Sequence, residues 1–165
     1  VTSTPEDPRA SLGRRLVAVH DELRATLRGL RDSSHPGRDG SLGAHCLTFC
    51  AAVSRHHRGE DAELFPQVVA ADPALAAAVD QLQHDHNLIG FLLRDLTAAV
   101  QALPAEPDDQ ELLRFRQHLD GLAAILESHF RFEERKVLAV LEGRPFPAAP
   151  PAWDVSGGVQ DEPHG

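Results

Sequence analysis

Four stretches of this chain carry apolar residues three and four positions apart, and turn-forming residues separate them. The first, residues 11–31, reads Leu12, Leu16, Val19, Leu23, Leu27, Leu30 and stops at DSSHPGRDG. The second, residues 41–71, carries Leu42, Phe49 and Ala52 and stops at Asp72-Pro73, an N-cap followed by the first residue of the next helix. The third, residues 73–103, reads Leu75, Val79, Leu82, Ile89, Leu93, Leu96, Val100 and stops at PAEPDD. The fourth runs from Asp108 or Asp109 to Gly143 and reads Phe115, Leu119, Leu122, Leu126, Val137, Val140. This spacing gives a helix one apolar face. Four such helices with short connections predict an all-α fold, an up-down-up-down antiparallel four-helix bundle. The bundle is expected over residues 11–142, between a flexible N-terminal segment, 1–10, and a Pro/Gly-rich, mobile C-terminal tail, 143–165.

The seams are interrupted, and always by the same chemistry. In the third stretch the step from Leu82 to Ile89 passes through position 86, which is His86. In the fourth, Leu126 is followed on the seam by His129 and Glu133. In the second, Ala52 is followed by His56 and Glu60. In the first, His20 lies between Leu16 and Leu23. Every helix therefore turns a histidine inward, and two add a glutamate one turn later. A buried ionised carboxylate is costly unless it is paired. Two of them beside four imidazoles call for compensating positive charge, which a pair of metal ions supplies. Imidazole with carboxylate suits iron, manganese or zinc. The HxxxE spacing puts both side chains on one helical face.

Composition narrows the partners. The formal net charge is −9, which argues against a nucleic-acid groove or an anionic membrane surface. No apolar run approaches a membrane span. The N-terminal VTSTPEDPRASLG lacks the apolar core of a signal peptide. Cys46 and Cys50 do not make a disulfide framework, so a reducing, cytoplasmic setting is expected. The two cysteines read as small residues packed between helices.

At the interrupted seams the chain resembles the hemerythrin-like (HHE cation-binding) family. The matching pieces are VHDEL around His20, HHRGEDAELFP at 56–66, HDHNLI around His86 and HFRFEER at 129–135. The resemblance implies a non-haem di-iron centre, two iron ions with an oxo or hydroxo bridge. It makes His20, His56, His86 and His129 terminal ligands and Glu60 and Glu133 bridges. Pro66 would kink the second helix just beyond the site. The implied small ligands are O2, peroxide or nitric oxide, with catalase-like or other di-iron oxidoreductase activity as one reading. The alternative is an iron-binding, sensing or storage module without turnover.

One departure matters. Oxygen-carrying members have a fifth histidine, at HxxxH spacing on the third helix. Here the residues four away from His86 are Leu82 and Gly90, which bind no metal. His84 should face away from the seam. His57 lies about 100° from His56 around the helix. It is a candidate seventh metal residue; its other reading is a partly exposed histidine at a helix boundary. Without a fifth seam histidine the ion pair has more open positions, which favours redox turnover over carriage. His45 and His118 are expected to face roughly inward at opposite ends of the bundle, as capping or hydrogen-bonded residues. His35 and His164 fall in the flexible segments. Asp61, Glu63, Asp85 and Glu134 are expected to be solvated or to support the ligands, with Asp85 and Glu134 able to orient an imidazole.

Overall fold

The computed structural model describes residues 8–32 and 41–141. The expectations about residues 1–7 and the tail, and about His35 and His164, fall outside the described residues. The order is α1 (Pro8–Asp32), α2 (Ser41–Gly59), a wide π turn (Glu60–Leu64), α3 (Phe65–Ala71), a 3-10 turn (Pro73–Leu75), α4 (Ala76–Ala102) and α5 (Asp109–Leu141). The segments from α2 to α3 follow one another without a break and form one rod, so the molecule is a four-helix bundle. No strand occurs among the described residues. No helix among them is long and apolar enough to cross a membrane.

The ends follow the local chemistry. Asp72 caps the third rod, its Oδ1 accepting the Ala74 N–H at 3.1 Å. Asp108 and Glu111 form a reciprocal capping box, with Glu111 N–H to Asp108 Oδ1 at 2.7 Å and Asp108 N–H to Glu111 Oε2 at 2.9 Å. Every predicted seam leucine and valine of α1 is buried, as are those of α5. α1 packs on α5 at close range. A Cβ on Gly13 would stand 3.1 Å from Leu138 Cδ2.

The π turn is the departure from a plain helix. Phe65 N–H bonds to the Glu60 carbonyl, five residues back. Pro66 has no N–H to give to residue 62, and its ring crowds the turn behind it. Widening by one residue relieves both. On an uninterrupted helix Phe65 would sit about 180° from His56 and face solvent. The extra residue rotates everything after it by about 100°, and Phe65 is fully buried. Pro66 thus acts through a wide turn rather than a simple kink.

Candidate metal centre

His20, His56, Glu60, His86, His129 and Glu133 meet in the interior, and none is more than 6% exposed. They divide into two histidine pairs. His20 Nε2 lies 3.0 Å from His56 Nε2, and His86 Nε2 lies 3.1 Å from His129 Nε2. Each glutamate reaches both pairs, and Glu60 also lies 3.9 Å from His20 Nε2. Glu60 Oε1 is 3.0 Å from His56 Nε2, and Glu60 Oε2 is 3.5 Å from His86 Nε2. Glu133 Oε2 is 3.4 Å from His20 Nε2 and 3.6 Å from His129 Nε2.

The outer ring nitrogens decide which way the lone pairs face. His20 Nδ1 donates to Glu134 Oε1 at 2.9 Å, and Arg24 holds that same oxygen at 2.9 Å. His86 Nδ1 donates to Asp61 Oδ1 at 2.8 Å. A carboxylate only accepts, so Nδ1 carries the proton in each neutral ring and Nε2 is bare. His129 Nδ1 faces Asp85 Oδ2 at 3.6 Å, too far for a hydrogen bond. Supporting carboxylates of this kind fix the tautomer of ligating histidines. Asp61 was less legible in the sequence than Glu134, because it lies inside the π turn, where helical phase changes.

Charge inside the cluster is unresolved without a cation. Both oxygens of Glu60 and of Glu133 are buried without a hydrogen-bond partner; the 3.0 Å approach of His56 lacks hydrogen-bond alignment. Burial, then the charge of Glu133, pushes the Glu60 carboxyl well above its ordinary value. Burial also raises Glu133. Burial, then the neighbouring imidazoles, drives His57 well below the usual histidine range and His129 down to about 2. For His20, burial pulls the other way but Glu133, Glu134 and Glu60 outweigh it, raising the ring to about 9. The Nε2 atoms of the four histidines and the unpartnered carboxylate oxygens converge on one buried volume. That donor set fits divalent or trivalent cations. Two overlapping sets each have all their donor atoms within 4.8 Å of one another: His20, His56 and Glu60, and His57, Glu60, His86 and His129.

His57 is buried, not a boundary residue. Its ring stacks on His86 at 4.1 Å and 11°, and its Nε2 has no hydrogen-bond partner. It therefore joins the His86/His129 side. His84 is exposed, as expected. His45 and His118 are exposed as well, against expectation. Each sits about 70° from the centre of its seam once Cys46, Phe49 and Val53, or Phe115, Leu119 and Leu122, are averaged. Two aromatic walls have no seam signature in the sequence: Phe130 stacks on His20 at 4.1 Å, and Phe65 on His86 at 5.4 Å. Cys46 and Cys50 are free and buried.

A cavity of about 470 Å³ lies between α2 and α4. It runs from exposed Arg58 and Arg94 to His57 and His86. The centre thus has a route to solvent on the His86 side.

The family described as Hemerythrin HHE cation binding domain matches residues 12–145. No curated protein and no solved structure matches the chain. The match spans all four helices and every converging donor, and the chain belongs to the hemerythrin HHE cation-binding family.

Proposed function

We propose that the centre holds two iron ions and that the protein reacts with O2, peroxide or nitric oxide at them. The observation that carries this reading is the division of donors: two histidine pairs, with each glutamate reaching both pairs. Two ions, each on one pair and sharing the glutamates, use every donor of that arrangement. His20 and His56 would hold one ion, His86 and His129 the other, with Glu60 and Glu133 between them and His57 beside the second. Bound iron supplies one-electron redox chemistry toward small oxygen species. The chain's own residues do the rest. Glu134 and Asp61 take the outer N–H of His20 and His86 and turn the Nε2 atoms of both rings inward. Phe130 and Phe65 wall the imidazoles from water. The cavity at His57 gives a small molecule one approach, and His57 governs how open that approach is.

The alternative, an iron-binding, sensing or storage module without turnover, uses the same donors and leaves the cavity without a role. Metal analysis should give about two irons per chain, with absorption in the near ultraviolet and the blue. His57→Ala should keep both irons, because the two histidine pairs and both glutamates remain. At equal iron content it should change the optical spectrum and the rate of peroxide decomposition. Unchanged spectrum and rate would take His57 off the ligand set, and absence of iron uptake by a folded chain would overturn the di-iron reading.

A further inference from the structure

The cavity is much larger than a diatomic ligand requires. Its volume is about 470 Å³, whereas a water molecule occupies about 30 Å³ of liquid. It lies in the range of sites for small organic molecules. Its lining is divided. Leu47, Ala51 and Leu93 give it an apolar wall, while Arg58 and Arg94 stand at its solvent side.

The chain carries a net charge of −9, and Arg24, Arg31 and Arg131 are engaged by carboxylates, whereas several other arginines among the described residues are not; what distinguishes Arg58 and Arg94 is that both line this cavity. Among the described residues, Arg58 has no ion pair, and Arg94 has only a contact with the Phe91 ring, at 5.8 Å. They belong to different helices and line one cavity. The carboxylate on that lining, Asp61, is already held by His86 Nδ1 at 2.8 Å. Two uncommitted guanidiniums beside an apolar chamber attract an anion with an apolar body.

Space also favours an organic occupant. Gly90 lines the cavity on α4. A Cβ there would have only Arg94 Nη1 within 4 Å, at 3.7 Å. A larger side chain at 90 would grow into the chamber, so glycine leaves that volume free.

We propose that the cavity between α2 and α4 binds a small organic monoanion, its carboxylate at Arg58 and Arg94 and its apolar body along Leu93 toward His57. Such a molecule covers the approach to the His86 side of the centre. Its binding would therefore control access to that side of the centre. The binding itself does not depend on turnover and is measured separately from it.

The test is calorimetric titration of the iron-loaded chain with hexanoate at low ionic strength, with hexanamide as the uncharged control. Hexanoate should bind and hexanamide should not. Arg58→Gln and Arg94→Gln should each weaken hexanoate binding about ten-fold, the scale of a charge-assisted hydrogen bond. Both should keep iron content and melting temperature, since both side chains are exposed. Gly90→Leu should abolish binding by filling the chamber. No hexanoate binding at millimolar concentration would overturn the proposal, as would equal binding of hexanamide. Binding that survives both arginine changes and shifts the optical spectrum would put the anion on the metal instead, which also overturns it. Peroxide turnover enters none of these readings, so loss of the redox proposal and loss of this one are distinguishable.

Discussion

Replacing Glu134 by Gln tests whether the two ion positions are supported separately. The Glu134 carboxylate accepts from His20 Nδ1 at 2.9 Å and from Arg24 at 2.9 Å. It is ionised in the fold. Burial opposes this, but the bonds from His20 and Arg24 hold its carboxyl below the usual range. The amide retains the shape and one acceptor oxygen but loses the charge. One charge-assisted hydrogen bond is worth about 1.5–3 kcal/mol, which is about 10–150-fold in affinity. Loss of a carboxylate behind a metal-bound histidine costs about 10–100-fold, in agreement. The loss should fall on the ion proposed to sit at His20 and His56. Asp61→Asn, which removes the charge behind His86 at 2.8 Å, should weaken the other ion by a similar factor. The assay is competition for Fe(II) against a coloured chelator under anaerobic conditions, with stoichiometry followed at each step. In each variant one ion should come off early and the second near the parent's position. Parent-like affinity in both variants, or equal loss of both ions in each, would refute the idea that each outer carboxylate serves one ion.

Two further outcomes follow from burial and charge. Glu60→Ala should remove metal, because Glu60 lies against both histidine pairs, while His84→Ala should leave the metal in place, since His84 is exposed; inductively coupled plasma analysis of both variants reads the difference. The metal-free protein should lose stability as pH rises from 6.5 to 9. His20 has its folded value raised to about 9 against an ordinary 6.5, so across that window the folded state holds a proton the unfolded state has released, and stability falls by up to about 1.4 kcal/mol per pH unit for that proton. The raised carboxyls of Glu60 and Glu133 act in the same direction, whereas the depressed His57 and His129 cost stability only below pH 6.5. Urea melts of the metal-free chain across that range check the slope, and a flat profile would contradict it.

The bundle and the six converging donors were legible because they obey one rule, a seam at alternating three and four spacing. His20, His56, His86 and His129 stand where leucine would otherwise stand, and position on a seam is a property of sequence alone. What was not legible depends on distances between helices. Asp61 reaching His86, and Phe130 lying flat on His20, are cross-helix contacts that no single-helix pattern encodes. His45 and His118 show the limit of counting turns: eleven residues returns nearly to the same angle, yet that angle was already at the seam's margin. Phe65 does carry a sequence signal. Nine residues from His56, it is a large apolar side chain on what a straight helix makes the wet face, and Pro66 follows it.

The wide turn at Glu60–Leu64 also behaves as a counted insertion. Upstream of it the buried face is set by Cys46, Phe49, Val53 and His56; downstream it is set by Phe65 and Val68. The two halves of the rod are each in register with the bundle but out of register with one another by one residue. Deleting Ala62, which is exposed, would restore an ordinary helical count with both apolar halves still on the core, at the cost of returning Pro66 to an ordinary helix interior. The spacing between the glutamate in the cluster and the aromatic wall behind His86 would shorten at the same time. A fold that tolerates that deletion while its metal affinity falls would show that this single residue serves the centre and not the bundle.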